Sequence, residues 1–214
     1  MGLLSLLLHD PILFVIVVPA LLYSIIFHEV AHGYVAGLFG DDTARRYGRL
    51  TLNPIPHLDL IGALMLLIAG FGWAKPVPVN YNAFRNSQTG IIAVSLAGCF
   101  TNFLIATIAL FLLQFPSVSA LSPVATMLAV LAKINIMLGA FNLIPIPPLD
   151  GSRVLMASLP RDLQYSLARL EPYGFFIIVI LLFTGILNPV ISFIQNVIYG
   201  FIEVLFSLMH LHKG

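Results

Sequence analysis

The sequence predicts an all-α integral membrane protein, built as a helical bundle of about five to six hydrophobic segments. Of its 214 residues, 59% are hydrophobic and only 9% are charged, and the mean hydropathy is +1.01. Soluble globular domains contain about 25% charged residues. Several apolar runs also reach the roughly 20 residues that a helix needs to cross a bilayer. We therefore expect the chain to lie in the lipid bilayer.

Four apolar runs are long enough to cross: residues 11–39, 89–115, 123 to about 146, and 173–209. The last run can hold two short spans, with a break at Asn188 and Pro189. Residues 60–71 are also apolar but too short to cross comfortably. They predict a re-entrant or extended element between the first and second full spans, although a short tilted span is the alternative.

The basic residues of the loops support the re-entrant prediction. Positive residues favour the cytoplasmic side of a membrane. If residues 60–71 return to the side from which they entered, all the loop cations fall on that side: Arg45, Arg46, Arg49, Lys75, Arg85, Arg153, Arg161 and Arg169. The C-terminus with Lys213 is then inside and the N-terminus outside. A full crossing by residues 60–71 would break this pattern.

Composition also limits the number of domains and the kinds of partner. The chain shows no repeat, and its longest polar loops, residues 40–59 and 147–172, are too short to fold alone. We expect a single membrane-embedded domain over residues 1–214. A net charge of +1 gives no argument for nucleic acid, and one cysteine, Cys99, excludes an intrachain disulfide and a thiolate metal cage. The remaining charges within spans, Lys133 and Glu203, either snorkel or pair with each other, or belong to a polar path near the site.

The stretch IFHEVAHG, residues 26–33, places two histidines and a glutamate inside the first span. His28 and His32 are four residues apart, so on a helix they share one face and can bind one metal ion. Glu29, next to the first histidine, is placed to hold a water molecule. This is the H-E-x-x-H arrangement of zinc hydrolases. The alternative, three polar residues satisfied between helices, needs three separate buried partners.

Zinc hydrolases use three protein ligands and leave one position open, so a third ligand must come from elsewhere. His57 and Asp59 form one candidate pair, and Asp150, at the end of NLIPIPPLDG, is the other candidate. The prolines of that stretch prevent a regular helix, and irregular backbone at membrane depth is tolerated where it lines a cavity. Asp150 is therefore the better candidate, with helix capping as its alternative role.

HEVAH in an apolar helix, followed much later by NLIPIPPLDG, resembles the site-2 protease family of intramembrane zinc metalloproteases. TLNPIPHLDLIGALM and GFGWAKPVPVN are also similar to family segments. The resemblance implies that the ligands of one zinc ion are His28, His32 and Asp150. It further implies Glu29 as the general base and Asn142 as the residue that steadies the reacting carbonyl or its oxyanion.

One motif departs from the family. Family members commonly read AGPxxN, and here Ala97 to Asn102 has Cys99 in place of the proline. This change puts local helix geometry in doubt but does not affect the zinc ligands. Asn102 would still allow an interhelical hydrogen bond. His57 and Asp59 are expected either to support a ligand or the loop, or to stabilise the HLDL turn by hydrogen bonds.

The resemblance implies a compact family member without a PDZ or nucleotide-sensing (CBS) domain. It would hydrolyse peptide bonds within or near transmembrane segments of membrane proteins, using water activated by the glutamate. The expected partners are a transmembrane substrate and the lipid bilayer, without nucleic acid and with no regulatory partner identified. The expected location is the plasma membrane of a prokaryote, with the active site towards the cytoplasm. GWAKPVPVN is either an extended edge to which an unwound substrate adds as a strand, or a plain connecting loop.

Three other functions fit the residues less well. A metal transporter would place ligands along a path across the membrane, and a di-iron hydroxylase would need many more histidines. A non-catalytic scaffold related to the family would typically have lost the glutamate or a ligand. The protease is therefore the favoured prediction.

Overall fold

The computed structural model describes residues 2–84 and 87–209, and these residues form helices and connecting segments without a β-strand. The helices are α1 (Leu3–His9), α2 (Pro11–Leu38), α3 (Thr43–Arg46), α4 (Leu60–Ala69), α5 (Gln88–Leu112), α6 (Pro116–Ser119), α7 (Ser122–Asn142), α8 (Asp150–Ser158), α9 (Arg161–Ala168), α10 (Glu171–Phe183) and α11 (Asn188–Leu208). Short 3₁₀ turns lie at Ile55–His57 and Tyr81–Phe84.

Four of these helices, α2, α5, α7 and α11, are long and apolar enough to cross a membrane. A fifth span is possible if α9 and α10, which meet at an angle of 65°, act as one. The structure thus confirms the predicted bundle of membrane helices, and the protein is a multi-pass membrane protein.

The ends of the helices follow the local sequence. α7 ends at Asn142, earlier than the predicted 146, because the proline-rich stretch that follows cannot extend it. The predicted break before α11 is confirmed, and Pro189 occupies the first turn of that helix, where its missing N–H costs nothing. α1 was not predicted. Asp10 separates it from α2, and its Oδ1 atom accepts a hydrogen bond from the Leu13 N–H at 2.9 Å.

The core lies where α2, α5 and α7 pack against one another, and α11 covers α5 and α7. Small side chains such as Ala106, Ala132 and Ala140 are fully or almost fully buried there. Small residues let membrane helices approach closely, which strengthens packing in lipid. These contacts hold α2 and α5 side by side along the region of His28 and His32.

α4 forms the short element between the first two spans. Its 10 residues extend only about 15 Å. Residues 71–80 then lead the chain back, and the N–H of Lys75 donates to the His57 carbonyl at 2.8 Å. The points where the chain enters and leaves this element are therefore neighbours, as the re-entrant prediction requires.

Contacts among the loops bring basic residues to one end of the bundle. The Arg49 guanidinium donates to the Lys75 carbonyl at 2.7 Å, and the Arg153 guanidinium lies 4.7 Å from the centre of the Tyr81 ring. Arg85 and Lys213, which also belonged to the charge prediction, lie outside the described residues.

The two charges predicted within spans are exposed on the surface of the bundle. Within the described part of the chain, neither Lys133 nor Glu203 forms an ion pair, with each other or with another residue. The structure therefore shows no pairing between them.

Candidate metal centre

α2 presents His28 and His32 on one face, one turn apart, as their spacing predicts. Both side chains are buried, with His28 6% and His32 8% exposed. Their Nε2 atoms lie 3.0 Å from each other. Two imidazoles thus converge on one point between α2 and α5.

Asp150 completes the group from a distant part of the sequence. Its Oδ2 atom lies 3.1 Å from Nε2 of His28 and 3.2 Å from Nε2 of His32. Of the alternatives for a third ligand, Asp150 is the residue that the structure brings to the two histidines.

The Asp-Gly pair explains how Asp150 reaches this position. The chain turns after α7, and α8 begins at Asp150 directly beside the end of α7. A Cβ atom on Gly151 would lie 2.2 Å from the Leu143 carbonyl oxygen, so only glycine permits this approach. The sequence DG therefore places a carboxylate where two helix ends nearly touch.

The other ring nitrogens of the histidines are also engaged. Nδ1 of His32 lies 2.7 Å from the Val94 carbonyl oxygen, and Nδ1 of His28 lies 2.6 Å from Oδ1 of Asn102. A carbonyl only accepts, so Nδ1 of His32 carries a proton, and a neutral ring then offers the lone pair of Nε2. Metal-binding histidines usually donate their second N–H to an acceptor in this way.

The three atoms fit a zinc ion. Tetrahedral zinc, with bonds of about 2.0–2.2 Å, keeps its ligand atoms about 3.3 Å apart. The separations of 3.0–3.2 Å among the two Nε2 atoms and the carboxylate oxygen are close to that value. Two imidazoles and a carboxylate are also a ligand set that zinc enzymes use.

Asp150 has the ionised form that metal binding requires. Burial raises the pKa of this carboxyl group, but the hydrogen bonds and charge of His28 and His32, when their Nε2 atoms carry protons in place of a metal ion, outweigh that effect. Together they hold the pKa of Asp150 well below its usual range, so the side chain is a carboxylate at neutral pH.

Glu29 lies beside this group without belonging to it. Its Oε2 atom accepts a hydrogen bond from the Val77 N–H at 2.8 Å. Val77 belongs to the segment of residues 71–80, which also hydrogen-bonds to His57, Arg49 and Asp41. The Lys75 carbonyl accepts from Arg49, and the Asn80 N–H donates to Asp41 at 2.6 Å. The segment is thus held against α2 next to Glu29.

Three other predicted residues make local contacts. The Asn142 amide donates to the Leu138 carbonyl of its own helix at 3.0 Å. His57 is 1% exposed, and its Nε2 atom donates to the Thr51 carbonyl at 2.9 Å. Asp59 caps α4 by accepting from the Gly62 N–H at 2.8 Å. Among the described residues, the metal-binding group itself contains none of these three.

Two buried polar residues near the site were not predicted. Asn135 is 0% exposed and Ser24 is 1% exposed, and both join Asn102 in hydrogen bonds between helices. The available signal was a polar side chain within an apolar span. That signal does not say which residues pair, because Ser24 and Asn135 are 111 residues apart in the chain.

Comparison with known proteins places this site in a family. Residues 114–185 match the model of "Peptidase family M50", a stretch that contains Asp150. The chain is 40% identical over 174 residues to "Putative zinc metalloprotease YwhC" of Bacillus subtilis (strain 168). The aligned region covers 78% of this chain and 80% of that protein.

Two further relatives come from other organisms. "Putative zinc metalloprotease Rip2" of Mycolicibacterium smegmatis is 32% identical over 82% of this chain and 69% of its own length. "Zinc metalloprotease MJ0392" of Methanocaldococcus jannaschii is 27% identical over 73% of this chain and 38% of its own length. No solved structure matches the chain. The similarity to YwhC over most of both chains, together with the family match around Asp150, shows that this protein belongs to peptidase family M50.

Proposed function

We propose that this protein is an intramembrane zinc metalloprotease that hydrolyses peptide bonds within or near transmembrane segments of membrane proteins. The observation that carries the proposal is the convergence of His28, His32 and Asp150 between membrane helices. The names of the relatives, which are zinc metalloproteases, support it. The whole chain, residues 1–214, acts as a single membrane-embedded protease domain in this proposal.

In the proposed site, His28, His32 and Asp150 hold one zinc ion per chain. Bound zinc supplies a Lewis acid that makes water acidic near neutral pH and polarises a peptide carbonyl. The residues of the chain position the substrate and move the proton. Apolar helices around the site limit the access of bulk water, which strengthens electrostatic interactions within it.

Glu29 is the proposed general base. It follows His28 directly on α2, and its carboxylate takes a proton from the attacking water and then delivers it to the leaving amine. The hydrogen bond from the Val77 N–H fixes one carboxylate oxygen.

Asn142 is proposed to steady the oxyanion. Its amide lies at the end of α7, just before the turn that leads to Asp150. The amide now donates to the Leu138 carbonyl, so this role requires the side chain to rotate towards the substrate. Hydrogen-bond donors aimed at a developing oxyanion typically contribute 10²–10³-fold, as an order of magnitude, to the rate.

The segment of residues 71–80 is proposed to receive the substrate as an added strand. A helical substrate hides its peptide groups in its own hydrogen bonds, so it must unwind before hydrolysis. The segment runs past Glu29 without helix or strand structure of its own. An unwound substrate would therefore pair with the backbone groups of this segment that its hydrogen bonds to the rest of the protein leave unused, next to the base.

The proposed location is the plasma membrane of a prokaryote, with the metal centre towards the cytoplasm. The relatives come from bacteria and an archaeon. The loops that carry Arg49, Lys75 and Arg153 meet at one end of the bundle, which the distribution of positive charge assigns to the cytoplasm.

The first experiment measures zinc per chain in detergent-purified wild type, Asp150→Ala and His57→Ala. We expect about one zinc in the wild type and in His57→Ala, and a lost or much weakened zinc in Asp150→Ala. A well-folded wild type without zinc would overturn the proposal and favour a scaffold function. Loss of zinc from His57→Ala would replace Asp150 by His57 as the third ligand.

The second experiment tests the base. Glu29→Gln should retain zinc but lose cleavage of co-expressed single-span reporter proteins that the wild type cleaves. The glutamine cannot accept the proton, although its size and position are similar. Cleavage by Glu29→Gln at the wild-type rate would remove Glu29 from the proposed mechanism.

A further inference from the structure

A chain of buried polar side chains leads away from the metal centre into the core of the bundle. Asn102 on α5 contacts His28, and Asn135 on α7 contacts Asn102 at 2.8 Å. Asn135 also reaches Ser24 on α2 at 2.7 Å. Asn102 and Asn135 are 0% exposed, so each amide must find its partners within the protein.

We infer that Ser24, Asn135 and Asn102 form a directed hydrogen-bond chain that fixes the tautomer of His28, so that Nε2 becomes its metal-binding atom. The three residues are positioning residues, because Asn102 alone contacts a ligand and none contacts the metal. The inference concerns the metal centre of the proposed function but does not depend on proteolysis.

Two backbone carbonyls determine the donor-to-acceptor direction of the hydrogen-bond chain. The Asn135 side chain lies 2.8 Å from the Leu131 carbonyl oxygen, which can only accept. The atom facing Leu131 is therefore the Asn135 Nδ2. The same NH₂ group donates to Oγ of Ser24, whose own O–H donates to the Ala20 carbonyl at 2.6 Å. Oδ1 of Asn135 consequently faces Asn102.

The orientation of Asn102 follows from that of Asn135. An oxygen that faces Asn102 requires a donor, so the Asn102 NH₂ group points to Asn135. A second acceptor supports this orientation, since Nδ2 of Asn102 also lies 3.4 Å from the Ser24 carbonyl oxygen. The Oδ1 atom of Asn102 is thereby left to face Nδ1 of His28 at 2.6 Å.

The orientation of Asn102 in turn determines the tautomer of His28. An amide oxygen only accepts, so Nδ1 of His28 must carry a proton. The neutral ring then has its lone pair on Nε2, the atom that lies 3.1 Å from Asp150. Reversing either amide would set donors against donors and acceptors against acceptors in an apolar interior, where unsatisfied polar groups are costly.

The two histidines are thus oriented by different kinds of hydrogen-bond acceptor. Nδ1 of His32 donates to a backbone carbonyl, that of Val94, which no substitution of a side chain removes. The orientation of His28 depends on side chains from two other helices. A substitution at Asn135, which contacts no ligand, should therefore change metal binding through His28.

The test begins with the wild type, and one variant is needed only to assign its signals. Nitrogen-15 NMR of histidine-labelled protein, with the His28 signals assigned by His28→Gln, shows which ring nitrogen carries the proton before and after zinc removal. We expect the proton on Nδ1 in both states. A zinc-free protein in which Nδ1 of His28 lacks a proton would overturn the inference, whether or not the protein cleaves a substrate.

The second measurement compares zinc dissociation constants, determined by competition with a chelator. Asn135→Leu removes the acceptor at 2.8 Å and leaves only the Ser24 carbonyl, at 3.4 Å, to orient Asn102, so we expect zinc to bind roughly 10–100-fold more weakly. Thr107→Val is the control, because Thr107 lies on α5 and its hydroxyl bonds only within that helix, to the Phe103 carbonyl. An affinity for Asn135→Leu equal to that of the control would contradict the inference.

A double substitution separates direction from packing. In Asn102→Asp both side-chain oxygens accept, so His28 keeps its proton on Nδ1 without help from Asn135. Adding Asn135→Leu to Asn102→Asp should then not weaken zinc binding further, because it also removes the Asn135 Oδ1 atom that faces the new carboxylate. Equal weakening by Asn135→Leu in both backgrounds would show that Asn135 acts only through packing, and would refute the directed chain.

Discussion

Gly98 faces His28 at a distance that leaves no space for a side chain. A Cβ atom at this position would lie 2.4 Å from Cε1 and 2.5 Å from Nε2 of the His28 ring. The ring cannot move aside without losing its place beside Asp150. The glycine therefore belongs to the metal centre, although it offers no ligand atom.

Gly98→Ala should weaken zinc binding by at least tenfold while the helices remain folded. The added methyl group displaces the His28 ring, and displaced ligands typically lose 10–100-fold in metal affinity, as an order of magnitude. Zinc competition with a chelator and circular dichroism measure the two quantities.

Gly37→Ala provides the matched control. Gly37 also lies in a membrane helix, but a Cβ atom there meets nothing within 4 Å. It should leave zinc affinity unchanged and slightly stabilise the helix. If Gly98→Ala bound zinc as tightly as Gly37→Ala, the close contact between Gly98 and His28 would not be needed for zinc binding.

Asp41 gives the protein a predictable response to acid. It is 2% exposed and accepts hydrogen bonds from the Thr43 hydroxyl, the Thr43 N–H and the Asn80 N–H. Burial raises the pKa of Asp41, but these hydrogen bonds outweigh it and hold the pKa below its usual value. Because the pKa is lower in the folded state, the stabilisation is complete above the unfolded value of about 3.9. It is lost as the pH falls through the folded value.

Asp41→Asn should lower the thermal midpoint at pH 7, at a cost of about 1–3 kcal/mol, because its NH₂ group faces donors. The difference from wild type should shrink as the pH is lowered below about 4. Midpoints measured in detergent from pH 7 to pH 3 test this. Asp42→Asn is the control, since Asp42 is exposed and should show neither effect. A constant difference at every pH would contradict the assignment to Asp41.

The sequence predicts the geometry of the site where spacing alone determines it. His28 and His32 share a helix face because they are four residues apart, and the structure confirms this convergence. Asp150 could be favoured because its prolines and glycine mark a turn. Ser24 and Asn135 could not be predicted, since their contact depends on how α2 packs against α7.

At the scale of elements, α4 and the returning segment make a closed hairpin. The His57 carbonyl and the Lys75 N–H, one at each end, are joined by a hydrogen bond of 2.8 Å. If the hairpin enters and leaves the membrane on one side, positions on both of its arms face the same aqueous compartment. A crossing helix would put them on opposite sides.

Single cysteines at Ile55 and Lys75 should therefore react with a membrane-impermeant maleimide from the same side. Both positions are exposed, and Cys99 can stay in the protein because it is only 1% exposed. A cysteine at Leu121, between α5 and α7, should react from the other side. Labelling in right-side-out and inverted vesicles measures this. Reaction of Ile55 and Lys75 from opposite sides would show that α4 crosses the membrane.

The long helices could be predicted within a few residues because a bilayer demands a minimum apolar length. α2 and α5 begin and end near the predicted limits, and α7 stops early at Asn142 for a local reason, the following prolines. α1 could not be predicted, because its seven residues are too few to give a periodic signal. Its helix depends on packing against α2 and α4.

At the scale of the whole molecule, a metal ion would join parts of the chain that are distant in sequence. His28 and His32 lie on α2, and Asp150 begins α8. An ion that binds this group only in the folded state stabilises the fold in proportion to the logarithm of its concentration. Zinc should thus act as a link between the first span and the second half of the chain.

Removing zinc with a chelator should lower the thermal midpoint of the wild type in detergent, and adding zinc back should restore it. Zinc at a thousand times its dissociation constant corresponds to about 4 kcal/mol. Asp150→Ala should have a midpoint that the chelator does not change. A wild-type midpoint that is independent of chelator and zinc would show that the site does not link the two halves.

The hydrogen-bond chain around His28 also has a consequence for biosynthesis. α2 leaves the ribosome before α5 and α7, and it carries Ser24, His28 and His32 into the membrane. The partners emerge later, since Asn102 follows His28 by 74 residues and Asn135 follows Ser24 by 111. Polar groups without partners are costly in lipid. We therefore expect α2 to remain in contact with water or with the insertion machinery until the later helices emerge to enclose it.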